Sequence, residues 1–331
     1  MDTGFKVGLA GAAALALLVG CATTPPKQTA SSAVRVSPKL EAQASAFESF
    51  MRNARNIDAK FSGPAEVAEG LRVGSAYEPK QFEAGMIAYA AVAAMQDPRF
   101  VAGVRKAGQD RRTGKGLAAR IAARPELAAT LPGADSGAAR ANAALTRQGE
   151  ALAASAARVK KASYDIQRQS WSKVFVPEPR ARLTRVKQIS SAGYRPMTGD
   201  QARLYSAISE GGRKGGSNNP VVNRGLAVAA LNVLGEEARA KNLMSEPRSG
   251  MCVRVAKLNL YQCLAVAKPH YEDIFCMGQH AMMDTARCVI KASGQPEPFE
   301  PRFVPTVREN ASYKPTPAKK PAAKKPAKKK G

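Results

Sequence analysis

The chain has 331 residues, with 51 Lys and Arg against 26 Asp and Glu, a formal net charge of +25 and only 6% aromatic residues. That length suits one large or two smaller domains. Alanine-rich, aromatic-poor stretches favour helix and argue against a mainly β architecture, so the expected fold class is all-α.

Residues 7–19, VGLAGAAALALLV, form a 13-residue apolar run. It is too short for a stable membrane span but fits the core of a signal peptide. The run ends in Leu18-Val19-Gly20-Cys21, which resembles the lipobox of bacterial lipoproteins. The resemblance covers about 21 residues. It implies that residues 1–20 are a signal peptide cut before Cys21, and that Cys21 then carries lipid, palmitate included. Ala22 follows the cysteine where inner-membrane lipoproteins commonly have Asp, so the chain resembles the outer-membrane class. Asp2 offsets Lys6, which departs from the usual positive start. Residues 21–37 read as a lipid-anchored flexible tether, polar and rich in Pro, Ser and Thr.

A helical domain is expected over 38–175. A first helix, 38–60, places Leu40, Phe47, Met51 and Ile57 on one face, and a second covers 64–72. The helix 79–96 has twelve uncharged residues from Ala84 to Met95, so it is expected to be buried on most sides. Asp97-Pro98 looks like an N-cap followed by an N1 proline. Two short helices follow within 111–131. Ser136 is expected to cap a long helix, 137–173, in which Leu145, Leu152, Val159 and Ile166 recur every seven residues. Gly149, Ala156 and Ser163 form a parallel seam of small residues. Such paired seams suit close helix packing, within the chain or in a dimer.

Residues 176–199 read as an irregular connector with a short basic helix. A helical region over 200–293 then holds a helix at 200–210, a loop at 211–219, and an apolar helix opened by Asn219-Pro220. It ends in a four-cysteine hairpin, 251–292, with helices 251–267 and 271–292 around Lys268-Pro269-His270.

Helix geometry selects the cysteine pairing. Cys252 and Cys263 are 11 residues apart on one helix, roughly 16 Å at the α-helical rise, beyond the reach of a disulfide. Cys276 and Cys288 fail in the same way, and pairing Cys252 with Cys276 crosses the register. Cys263–Cys276 and Cys252–Cys288 remain. Their index sums, 539 and 540, both centre the turn on Pro269-His270. The layout resembles the twin-cysteine helical hairpins of the CHCH type, with ten and eleven intervening residues instead of nine, and the likeness is architectural. The same register sets Asn259 opposite His280. Glu272, Cys276, His280, Asp284 and Cys288 recur at every fourth position, so His280 is the alternative metal ligand. Disulfides would consume the thiolates, and no metal or cofactor is expected. With Cys21 assigned to the anchor, the four other cysteines fit an oxidising compartment.

Residues 294–331 are expected to be a disordered Pro/Lys-rich tail. Lys314, Lys319, Lys320, Lys324, Lys325, Lys328, Lys329 and Lys330 carry no acidic counterpart from 314 onward. Two further basic clusters fall at 101–125 and 158–187. In an exported chain, such charge points to peptidoglycan, lipopolysaccharide or another anionic envelope polymer rather than nucleic acid.

Catalytic motifs are weak. Gly108–Gly116 is one residue too long for a P-loop and has Gly116 where Ser or Thr must hold Mg²⁺. Ser170-Trp171-Ser172-Lys173 matches SxxK without its companion motifs. The expected protein is a non-enzymatic outer-membrane lipoprotein facing the periplasm, a scaffold or tether with a polyanion-binding tail. The alternative is a helical periplasmic hydrolase or ligand-binding protein.

Overall fold

Proline places most of the helix starts. The computed structural model describes residues 35–297 except 196, 211, 213 and 216–218. In it α1 (Pro38–Arg55), α2 (Pro64–Gly74), α3 (Pro79–Met95) and α4 (Pro98–Gln109) all open on a proline. A helix start leaves its first N–H groups unbonded, so the missing N–H of proline costs nothing there. Two helices without proline follow, α5 (Leu117–Ala123) and α6 (Ala134–Asp165). Then come α7 (Pro179–Ser191), α8 (Asp200–Ser209), α9 (Pro220–Val233) and α10 (Pro247–Val266). The fold is all-α. The one extended pairing among the described residues is an isolated bridge between Phe175 and Pro269.

The body is organised around α3. Every residue from Ala88 to Ala94 is fully buried, and α1, α6, α9 and α10 pack around it. The uncharged stretch Ala84–Met95 has no polar face to turn outward, so it must be surrounded. At its N-terminal end Phe47, Phe50, Tyr77 and Phe82 stack with centroids 4.6–5.4 Å apart. One hydrophobic core takes residues from both 38–175 and 200–293.

Three sequence expectations need correction. The first helix stops at Arg55, where Asn56 leaves the helical conformation. The long helix begins at Ala134 after the left-handed Gly133, so Ser136 lies inside its first turn and caps nothing. Its hydroxyl instead donates to Asp97 Oδ2 at 2.6 Å, the carboxylate that caps α4 through Arg99 N and Phe100 N. The same helix ends at Asp165, and only short 3₁₀ turns continue at Ile166–Arg168 and Trp171–Lys173.

Both seams of α6 face into the chain. Leu145, Leu152, Val159 and Ile166 join the core. A Cβ on Gly149 would lie 2.6 Å from Ile290 Cγ1, so only glycine admits the C-terminal helix this closely.

That C-terminal stretch is the return arm of the hairpin. It runs without a break as α11 (His270–Cys276), a π-helical segment (Met277–Met283) and α12 (Asp284–Ala292). Disulfides join Cys263 to Cys276 and Cys252 to Cys288, with Cα atoms 5.6 and 5.8 Å apart. The cysteines are eleven positions apart on α10 and twelve positions apart on the return arm. The wider π turn absorbs the extra residue, which accounts for the shift in index sum from 539 to 540. Cys21 and the tail lysines Lys314 to Lys330 lie outside the described residues.

Candidate functional site

Polar groups converge inside an apolar recess where α2, α7 and the first turn of α11 meet. They enclose a cleft of about 530 Å³. Val67 and Leu71 on α2 form one wall, and Val186 and Ile189 on α7 form the other. Arg182, His270 and Asp273 lie at its base and are buried. Arg185 and the Glu69–Arg72 ion pair stand at the rim. Val176 and Pro177 close one end. The chain turns from them into α7 through Glu178, a non-glycine residue held at φ 51°. Left-handed backbone of this kind costs roughly 1–2 kcal/mol and must be held by its surroundings.

Arg182 organises the base. Its guanidinium donates to the Asp273 carboxylate on α11 and to the Leu264 carbonyl on α10, with a third bond to Ala267 O at 3.3 Å. These carbonyls are at the open C-terminus of α10, where a cation is favourable. One side chain therefore ties α7 to both arms of the hairpin beside its turn. Burial pushes the Asp273 carboxyl up to about 6, against the downward pull of Arg182. Burial also pushes the His270 imidazole below its ordinary value, and the Arg182 charge adds to that. At neutral pH the base therefore holds an Arg182–Asp273 ion pair beside a neutral imidazole.

The cleft lining offers two carboxylates, Glu69 and Asp273, each bonded to an arginine. No serine, cysteine, threonine or lysine stands among the lining residues. The arrangement suits binding: apolar walls for an apolar body, and an arginine rim for an acidic group.

A second buried cation lies behind the cleft. Lys257 on α10 donates to Ser75 O at 2.9 Å and Ser190 Oγ at 3.2 Å, and its ammonium sits 3.3 Å from the centroid of the Tyr77 ring. Burial holds its pKa well below the usual lysine value. In the window between that depressed value and about 10.4, the unfolded chain binds a proton that the native one does not, so stability rises with pH. Lys257→Met is expected to flatten the rise as pH approaches about 10.4, measured as the difference in denaturant midpoint between the two proteins. An equal slope in both would show that folding does not depress the Lys257 pKa.

His280 is held within the hairpin. Its Nδ1 lies 2.8 Å from Asp284 Oδ2, and Asn259 Nδ2 approaches the same oxygen at 3.5 Å. The register brought Asn259 and His280 to one place, but they meet through Asp284 rather than each other. Burial raises the Asp284 pKa, yet hydrogen bonds from His280, Gln279 and Asn259 outweigh it and leave a net lowering. All four hairpin cysteines are in disulfides. Among the described residues no group of three or more His, Cys, Asp or Glu is placed to hold a metal ion.

Sequence reasoning missed the Arg182–His270–Asp273 base and the burial of Lys257. Arg182 is one of nine cations in the 158–187 cluster, and no motif singles out Asp273. No spacing rule links two residues 91 positions apart. Comparison with protein-family models, curated proteins and solved structures found no match to this chain.

Proposed function

We propose that the chain is a non-enzymatic outer-membrane lipoprotein facing the periplasm, a scaffold or tether whose basic tail engages an anionic envelope polymer. The observation that carries this reading is the pairing of all four hairpin cysteines into two disulfides. Disulfides of this kind persist in oxidising compartments, and their pairing leaves Cys21 as the cysteine for the anchor. The lipobox at Leu18–Cys21 supports the same location. The eight tail lysines supply positive charge for peptidoglycan or lipopolysaccharide, binding that weakens as salt screens it.

Two measurements test it. Metabolic labelling with palmitate should mark the protein, and Cys21→Ala should abolish the label and release the chain from the outer-membrane fraction. Purified cell wall should pull the protein down, less well with rising salt and less well without residues 314–331. Equal pull-down with and without the tail at every salt level would remove the tail mechanism. Unchanged labelling of Cys21→Ala would remove the anchor.

The cleft favours a second reading, a periplasmic ligand-binding protein for an amphiphile with an acidic group. A fluorescent acyl probe displaced by such an amphiphile, but bound poorly by Val186→Trp, would support it. Equal binding by Val186→Trp would place the ligand elsewhere.

A further inference from the structure

Large apolar side chains that remain exposed fall mainly on α10 and beside its C-terminal end, with Met197 the exception. Among the described residues seven are exposed, and six of them are Val174, Phe175, Met251, Val255, Leu258 and Val266. Four of these six lie on α10. Met251, Val255 and Leu258 follow at steps of four and three, and Val266 falls within the same stripe. The stripe runs about 22 Å along the helix. Val174 and Phe175 extend it past the helix end, because His270 N donates to Val174 O and Val176 N donates to Lys268 O. Val266 is 75% exposed and Phe175 66%. Single exposed apolar side chains are ordinary, but a run of them along one face marks an interaction surface.

The helices α7 and α10 bring only positive charge to this face. Neither α7 nor α10 contains an Asp or Glu. Arg254 lies on the exposed face of α10 between Met251 and Leu258. Lys187 on α7 reaches over the Tyr261 ring of α10, at 5.6 Å from its centroid. Lys268 lies 6.0 Å from the centroid of the exposed Phe175 ring. The carboxylates at its edge are Glu272, which accepts from Lys268 N, and Asp284, which is held by His280 and Asn259; apolar side chains flanked mainly by lysine and arginine are the composition of a helix lying in the interface of an anionic bilayer. The apolar groups enter the acyl boundary, and the long basic stems reach back to lipid phosphates.

We propose that the face formed by α10 and residues 174–175 docks on the surface of an anionic lipid bilayer. Charge selects this occupant over the alternatives. A second copy would bring two basic faces together, and the tail of the same chain brings eight more lysines. None of the six apolar side chains lines the cleft. They protrude, which suits a fluid surface that moulds around them. The inference goes beyond the anchor reading and rests on it only for the supply of a nearby membrane. From Cys21, the fourteen residues to Arg35 span at most about 50 Å when extended.

The test uses the full chain with Cys21→Ser, so that no acyl chain contributes. Co-sedimentation is measured with phosphatidylglycerol–phosphatidylethanolamine vesicles and with phosphatidylcholine vesicles. The parent should prefer the anionic vesicles. Val255→Glu combined with Leu258→Glu should weaken that binding at least tenfold, with an unchanged circular dichroism spectrum and melting temperature. Met251→Glu, just over one helical turn from Val255, should weaken it in the same direction. A variant with all eight tail lysines changed to serine should still respond to the face substitutions. Equal anionic-vesicle binding by the parent and the folded face variants would overturn the proposal. So would a parent that is dimeric in sedimentation and becomes monomeric on Leu258→Glu, or one that binds an acidic protein through this face while ignoring vesicles. Failure of palmitate labelling would end the anchor reading and leave the vesicle result standing.

Discussion

Arg182→Leu is expected to destabilise the protein by about 3–5 kcal/mol at pH 7.5, the usual cost of removing one partner from a buried ion pair. The substitution leaves Asp273 charged and enclosed, and it strips the guanidinium from the carbonyls of Leu264 and Ala267. The pH dependence identifies the cause. The Asp273 carboxyl is already raised to about 6 with Arg182 present. A raised carboxyl binds its proton more tightly in the native state, so the stability it contributes is present below about pH 4 and is lost as pH rises through about 6. Without Arg182 the native value moves higher still. The gap between wild type and variant should therefore narrow as pH falls from 7.5 toward 5, because Asp273 becomes neutral in the variant. Adding Asp273→Asn to Arg182→Leu should recover much of the loss at pH 7.5. Urea titrations of the four proteins in this cycle give the coupling directly. A loss below about 1 kcal/mol, unchanged between pH 5 and 7.5, would mean that solvent reaches the pair and that it does not clamp the hairpin.

The difference between the hairpin and its clamp shows which features a sequence can carry. The disulfide pairing was legible because it depends on one number, the rise of a helix, together with a turn that proline marks. Even the mismatch between spacings of 11 and 12 was visible in the sequence, although the π turn that absorbs it was not. The burial of α3 was legible for a similar reason. Twelve residues without charge leave no side for water, whatever the neighbours are. The cleft had no such local rule. Arg182 sits among cations that are mostly exposed, and only the packing of α7 against the hairpin turn buries it. Lys257 was hidden in the same way, since a lysine on an amphipathic helix ordinarily reads as solvated. Ser136 failed for a subtler reason. Its hydroxyl does bond near a helix start, but the helix it serves is α4, through the Asp97 carboxylate. The exposed stripe of α10 escaped because apolar helix positions read as core until the partner that should cover them is found missing.

Removing the two disulfides together should cost more than any single substitution considered above. The chain-entropy relation gives about 3 kcal/mol for the inner bond and about 4 for the outer one. The loops span 13 and 36 residues. The inner loop lies within the outer, so the combined loss should fall short of the sum. Cys263→Ser/Cys276→Ser should therefore be the milder pair, and Cys252→Ser/Cys288→Ser the more severe. Cys288 is buried against the core beside Val289 and Ile290, residues that pack in the same core as α6. Loss of the outer bond leaves α10 held to this return arm by side-chain packing alone, at the end far from the Arg182 clamp. Limited proteolysis should then cut first near the N-terminus of α10, before the rest of the body is touched. The same chemistry bears on location. Protein isolated from its own cells should resist thiol alkylation at all four positions until a reductant is added, and then gain four labels. If the four cysteines are alkylated without reductant, the bonds do not form in the cell. The argument for an oxidising compartment would then fall with the clamp, leaving the lipobox as its only support.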